Sequence, residues 1–412
     1  MPTVSACRII TTLFFFVASL VLWGQPTRLL EQKVDSVVKN AIQQRAFPGC
    51  VVYAAHKGKP FLSKAYGYQT YDSLIKVRKE TLFDLASLTK VTASALALMK
   101  LYEEGRYELD EGIGKYVKGI SAEVGALTYR ELMAHQSGLP PGILFHKDSI
   151  ILNRFIHHGR YSSSDKSVVN KLFVSDSAYI RMKDLISAAP LQEKVYRYSD
   201  LFFILVPEII QSLTNLSFEE YLNESFYKPM EARSLCFTPL DDFDKRRIAP
   251  TENDTLFRKQ IIHGWVHDES ASLLGGVSGN AGLFGTATDV AKVWQMLLDD
   301  GRYENQIILS PQTINLFTSV QYPSNNNYRA LAFNKILFEY DPEVSLYAQM
   351  ASIRSFGHTG FTGTMVWVDP DNDLLFVFLS NRVFPGREPN IEKELRVRRV
   401  IHQFLYNYLE KP

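Results

Sequence analysis

The stretch 83-FDLASLTKVTAS-94 places Ser87 and Lys90 three residues apart at the start of an apolar run. Spacing alone does not make them a catalytic pair, because Ser-x-x-Lys occurs five times, at Ser36, Ser73, Ser87, Ser163 and Ser225. Ser36 lies among charged residues of a helical segment, Ser73 and Ser163 in polar loop sequence, and Ser225 beside Tyr227-Lys228-Pro229 at a helix end. Ser87 is different. From Leu85 onward, LASLTKVTASALALM is apolar or small on every face, so the helix it forms is expected to be buried all round. A serine in the first turn of such a helix faces free backbone N–H groups and the positive end of the dipole. Lys90, one turn on, shares its face. An ammonium in an apolar interior is costly unless it finds partners or loses its proton, and a neutral or hydrogen-bonded lysine beside a hydroxyl activates a nucleophile. The competing reading is a helix-cap serine beside a lysine that snorkels to the surface.

Working outward, 27-TRLLEQKVDSVVKNAIQQ-44 reads as a helix with Thr27 at its cap and one apolar face. Two strands follow, 50-CVVYAA-55 and 60-PFLSKAYG-67, joined by a hairpin turn at 56–59. The C-terminal end mirrors this: strands 363-GTMVWV-368 and 374-LLFVFLS-380 lead into a helix over 391–409. The pattern predicts one sheet built from both termini, with a mostly helical second lobe over about residues 85–300 and a ligand cleft between the two. The segments 159–180 and 321-QYPSNNNY-328 read as exposed insertions.

The chain has 412 residues, 46% hydrophobic and 22% charged, with net charge +1. That is an ordinary globular composition with no electrostatic case for a nucleic-acid partner. Arg8 followed by the apolar run 9–23 and Gly24-Gln25 reads as a secretory signal peptide over 1–24. The run is short for a membrane span. An uncleaved anchor is the alternative, since Leu22 is large for its place before the cleavage site. Removal of the leader takes Cys7 and leaves Cys50 and Cys236, which is no disulfide scaffold; Cys50 reads as a buried free thiol.

Two distant motifs add to the first: 196-YRYSD-200 before the apolar helix 201-LFFILVPEII-210, and 357-GHTGFTG-363, which opens directly into the strand at 363. With Ser87-Leu88-Thr89-Lys90, then Tyr198-Ser199-Asp200, then His358-Thr359-Gly360 in order, the chain resembles the serine β-lactamase and penicillin-recognising DD-peptidase superfamily, in its class C-like branch. The stretches 134-AHQSGLPPG-142 and 267-HDESASLLGGVSGNAGLFGTATDVAK-292 look like the same branch. The resemblance covers residues 26–410 as one hydrolase domain. It implies an α/β, β-lactamase/transpeptidase-like fold: an antiparallel sheet flanked by N- and C-terminal helices, plus the helical lobe.

The resemblance also implies roles. Ser87 is the nucleophile, Lys90 its hydrogen-bonded partner in proton transfer, and Tyr198 the general base or relay, its phenolate favoured by Lys90. The backbone N–H groups of Ser87 and Phe361 form the oxyanion hole, and Thr359, Gly360 and Phe361 offer an edge to substrate. Two residues depart from the pattern. Asp200 replaces the usual Asn, which places a carboxylate beside Lys90 and puts β-lactam hydrolysis in doubt. His358 replaces Lys, leaving a group that titrates near pH ~6.5, with Arg354 or Arg382 as candidates for the lost charge. In 267-HDE-269, Asp268 is a candidate substrate contact. There is no HExxH and no partner cluster, so neither a metal nor a cofactor is expected. His135 reads as part of a structural turn. The expected protein is a periplasmic serine hydrolase of peptidoglycan peptides, D-Ala-D-Ala carboxypeptidase-like. Alternatives are a muramyl-alanine amidase, a small-ester hydrolase, a weak β-lactamase and a non-turnover binding module.

Overall fold

The segment 374-LLFVFLS-380 is apolar at almost every position, and such a strand needs cover on both faces. The computed structural model, which describes residues 27–410 apart from Phe338, provides it. Six antiparallel strands form one sheet: β1 (Gly49–His56), β2 (Lys59–Gly67), β3 (Asn334–Lys335), β4 (Phe356–Gly360), β5 (Thr364–Asp369) and β6 (Leu374–Ser380), in the order β3-β4-β5-β6-β1-β2. β6 pairs with β1 from Cys50↔Ser380 to His56↔Leu374, so the two ends of the chain meet at the centre of the sheet. The expected leader, residues 1–24, lies outside the described residues.

The helices that cover the sheet or carry the site are α1 (27–43), α2 (Ala95–Glu103), α3 (Leu201–Thr214), α4 (Ala287–Leu298) and α5 (Val397–Leu409). Strand alternation divides the sheet's side chains between two cores. Leu374, Phe376 and Phe378 pack with Val52, Trp367, Val38 and Ile401 under the terminal helices. Leu375, Val377 and Leu379 pack with Val51 and Val366 against the helical lobe.

Four expectations change. The helix expected over 391–409 is broken at Arg396, whose φ of 51° is left-handed; the break lets Arg398 hold both Glu392, at 2.7 Å, and the Thr364 carbonyl, at 3.0 Å. His358-Thr359-Gly360 does not precede a strand but is one, β4, joined to β5 by a turn through Phe361–Gly363. Segment 159–180 is exposed throughout its first part and only in places beyond it. Beyond it, Lys166–Val169 and Leu172–Val174 join Ile156–His158 in a three-stranded sheet, and Val168, Val169, Val174 and Ala178 are buried. In 321–328 the exposed tip gives way to the fully buried Asn327.

Candidate active site

The turn that carries Ser87 is fixed by contacts both local and distant in sequence. Phe83–Asp84 pairs with Phe284–Gly285, and the chain then reverses through Ala86, whose φ of 48° is unusual for a residue with a side chain. Asp84 holds the turn, its carboxylate accepting from the Ala86 N–H at 2.8 Å and from the His267 N–H at 2.6 Å. A 3₁₀ turn, Ala86–Leu88, leads through a π-turn, Lys90–Ser94, into α2. From Thr81 to Ser94 every residue is buried except Ser87. The hydroxyl therefore comes to the surface of an otherwise closed segment.

The ammonium of Lys90 is fully buried; it donates to Ser87 Oγ at 3.1 Å and to the Asn280 carbonyl at 2.8 Å, and forms an ion pair with Asp200 Oδ1 at 2.6 Å. Burial by itself lowers a lysine pKa, but the Asp200 carboxylate outweighs it, and the Lys90 pKa is raised. Lys90 is thus a charged donor to Ser87 in the resting site, and neither a neutral amine nor a snorkelling one.

Tyr198 packs its ring 5.3 Å from the Lys90 ammonium. Its hydroxyl is buried and has no hydrogen bond of good geometry among the described residues. Burial raises the phenol pKa more than the Lys90 charge lowers it. The expected phenolate is therefore corrected: the resting Tyr198 is a neutral phenol.

The 134–142 loop positions this motif. The Ser199 N–H donates to His135 Nδ1 at 3.1 Å, the Ser199 hydroxyl to the Pro140 carbonyl at 2.7 Å, and the Asp200 N–H to the Pro141 carbonyl at 3.0 Å. The His135 ring lies 4.4 Å from the Tyr198 ring. His135, read as a mere turn residue, is the bed on which the Tyr198 ring rests; its backbone φ is 55°.

On the opposite wall, β4 is locked to the nucleophile turn. Thr362 and Thr364 donate their hydroxyls to the Asp84 and Leu85 carbonyls at 2.7 and 3.0 Å. A Cβ at Gly360 would stand 2.5 Å from the Leu85 carbonyl oxygen, so glycine is required for this approach, which brings Phe361 beside Ser87. β3 pairs with Phe356 and Gly357; among the described residues the outer edge of β4 has no strand partner from His358 onward.

His358 does not titrate near neutrality as expected. Burial, then Arg329 and Lys90, drive its pKa well below the usual histidine value. Its Nδ1 lies 2.8 Å from the Thr359 carbonyl and its Nε2 3.2 Å from Arg329 Nη2, which assigns the proton to Nδ1 and the lone pair to Nε2. The cation beside it is Arg329, and neither Arg354 nor Arg382. Arg354 pairs with Asp371 at 3.0 Å on the surface. Arg382 stacks over the half-exposed Phe361 ring at 4.7 Å. Arg329 was missed because it follows a polar stretch; the apolar 330-ALAF-333 after it was the available sign that the chain turns inward there.

The structure brings Ser87, Lys90, Tyr198, Asp200 and His358 together, with Gly360 and Phe361 alongside. Thr359 alternates to the other face of the strand, where its side chain lines a cleft with Glu392 and Arg398. Asp268 caps the helix Glu269–Ser272 through the Ala271 N–H at 2.8 Å and accepts from Asn280 at 3.1 Å; burial and then Asp200 raise its pKa. It therefore braces the segment whose Asn280 carbonyl holds Lys90. Glu269 and Glu252 pair with Arg387 at 2.5 and 2.9 Å. Among the described residues no group of His, Cys, Asp and Glu has the arrangement of a metal site.

Against known proteins, residues 34–399 match the family model described as Beta-lactamase. An Escherichia coli O157:H7 protein provisionally named D-alanyl-D-alanine carboxypeptidase is 29% identical over 399 residues, covering 89% of this chain and 85% of that protein. The N-acetylmuramyl-L-alanine amidase of Bacillus subtilis strain 168 is 28% identical over 400 residues, covering 87% and 84%. Among solved structures, a class C beta lactamase from Rhodobacter sphaeroides superposes with a TM-score of 0.64 at 16% identity, over 91% of this chain and 99% of that one. This last likeness is one of fold.

Proposed function

The chain belongs to the beta-lactamase family of hydrolases, and from that premise we propose that it cleaves an amide or ester through an acyl-enzyme on Ser87. The observation that carries this reading is the set of contacts around one accessible hydroxyl: Ser87 Oγ is 3.1 Å from Lys90 Nζ, which is 2.6 Å from Asp200.

Reaction begins from the form in which the Lys90 ammonium has lost one proton to solvent, and its freed lone pair accepts the Ser87 hydroxyl proton. Ser87 Oγ then bonds to the substrate carbonyl carbon, and the developing oxyanion is received by the Ser87 and Phe361 N–H groups. The neutral Tyr198 phenol suits the role of acid, handing its proton to the leaving nitrogen or oxygen as the scissile bond breaks. Water then attacks the ester on Ser87, its proton passing to the Tyr198 phenolate left by the first step, and Ser87 Oγ leaves with the proton that Lys90 took from it, releasing the carboxylic acid. Asp200 sets how readily Lys90 loses its proton, so the reaction is expected to be slow near neutrality and faster as pH rises.

The substrate proposed is a peptidoglycan-derived peptide, with D-Ala-D-Ala carboxypeptidase-like cleavage and weak β-lactam binding. The signal-like leader and the carboxypeptidase-named relatives support this, with the periplasm as the expected location. The muramyl-alanine amidase reading stands second, supported by the B. subtilis relative at nearly the same identity. Turnover of D-Ala-D-Ala peptides against muramyl peptides, with a Ser87→Ala control, tests the choice: product from neither set removes the peptidoglycan reading. A lasting adduct with every substrate would favour a binding protein.

A further inference from the structure

Past the end of β3, next to the catalytic wall, lies a cavity of about 290 Å³. It has apolar walls in Val344, Leu346 and Tyr347, and Arg329 forms its inner end. Three polar atoms of its lining are buried and have no hydrogen-bonding partner among the described residues: Arg329 Nε, Trp367 Nε1 and Asn334 Oδ1. Buried polar atoms are normally satisfied, so three orphans around one cavity point to an occupant. Two are donors and one is an acceptor. Arg329 is nine-tenths buried and bonds only to the Ala332 carbonyl and His358 through Nη2, with no carboxylate partner among the described residues. A buried guanidinium without a counter-ion is costly.

We infer that this cavity takes the leaving half of the substrate, and that this half is an amino acid with a bulky apolar side chain and a free carboxylate. Its carboxylate meets the Arg329 guanidinium, its N–H meets Asn334 Oδ1, and its side chain lies against Val344, Leu346 and Tyr347. The position agrees with the chemistry. The Arg329 guanidinium lies 5.6 Å from the Tyr198 ring centre, and Tyr198 is the acid that protonates the leaving atom. The volume agrees as well: an apolar cavity of ~150 Å³ accepts a benzene ring, and this one is far larger than the methyl of alanine needs, so within carboxypeptidase-like cleavage the residue released is larger than D-alanine. The assignment to the leaving half rests on the acyl-enzyme reading above; the existence of the site does not.

Calorimetric titration of the full chain with D- and L-phenylalanine, D- and L-alanine, and phenylalaninamide tests it. One enantiomer of phenylalanine is expected to bind at least tenfold more tightly than alanine or the amide. Arg329→Gln and Leu346→Trp are each expected to abolish that advantage, and Ser87→Ala to keep it. Equal affinity for all the probes, or an advantage that survives both cavity variants, overturns the proposal. Fluorophosphonate labelling of Ser87 in the same samples separates the two claims. Labelling without preferential binding refutes the cavity alone. Preferential binding that persists where Ser87 cannot be labelled refutes the serine mechanism and leaves an amino-acid site.

Discussion

Asp200→Asn isolates the carboxylate that pairs with Lys90. The substitution keeps an oxygen near Lys90 but removes the charge. At 2.6 Å, Coulomb attraction between unit charges is roughly 6 kcal/mol at an effective dielectric of 20 and about 1.6 kcal/mol in bulk water. Lys90 is completely buried whereas the Asp200 side chain is 34% exposed, so solvent screens the pair and the lower part of that range applies. Loss of one partner of a fully buried pair costs about 3–5 kcal/mol; with the screening and the retained amide dipole, a loss of about 2 kcal/mol is expected. The sign of the pH effect follows from linkage. The Lys90 pKa is raised in the folded protein, so its stabilisation is complete below the ordinary lysine pKa and is lost as pH rises through the higher folded value. In the asparagine variant burial acts unopposed and the Lys90 pKa falls, so the neutral amine appears at lower pH. Urea unfolding at pH 7 should show the stability loss, and the fluorophosphonate labelling rate of Ser87 should reach its alkaline plateau at lower pH than in the parent. A variant of parental stability whose labelling profile is not displaced would refute the reasoning.

The other expectations concern the frame. Gly360→Ala should drive its methyl into the Leu85 carbonyl, 2.5 Å away, displacing the nucleophile turn; a labelling rate lowered at least tenfold with a stability loss of about 1–3 kcal/mol is expected, and parental labelling would count against the β4 clamp. His135, His358 and His402 are buried with depressed pKa values, that of His402 down to about 3 through burial. Each binds a proton on unfolding below about pH 6.5, so stability should fall as pH falls, by up to ~1.4 kcal/mol per pH unit for each histidine. His402→Gln, which keeps an acceptor for the Ala348 N–H, should lessen that slope by about one proton between pH 6 and 4; an unchanged slope in chemical denaturation would contradict the assignment. His358→Lys should destabilise the fold by about 3 kcal/mol by setting a second cation 3 Å from Arg329; a variant as stable as the parent in urea would show that Arg329 is not the cation of that wall.

Much of this was legible in the sequence because it depends on local pattern. A helix apolar on every face can be read from Leu85 onward without coordinates, and so can the all-apolar β6, whose neighbours must lie on both sides. Three ordered motifs then fixed which Ser-x-x-Lys matters. What escaped depended on long-range approach. Arg329 reaches His358 only because Asn327, buried and bonded to the Ala134 carbonyl and Gln136, draws a polar-looking segment into the core. His135 lies against Tyr198, a residue distant from it in sequence. The protonation states were also misjudged, since proximity of Lys90 to Tyr198 argues for a phenolate until burial is weighed against it. Only the packed structure supplies that weight.

The central claim is that Ser87, alone of the five Ser-x-x-Lys serines, becomes acylated. Intact-mass and peptide mass spectrometry after a brief exposure to fluorophosphonate or labelled penicillin tests it most directly. One adduct, on the peptide that carries Ser87, absent from Ser87→Ala and decaying in the penicillin case, is the predicted result. An adduct that persists in Ser87→Ala, or that maps to Ser36, Ser73, Ser163 or Ser225, would contradict the account.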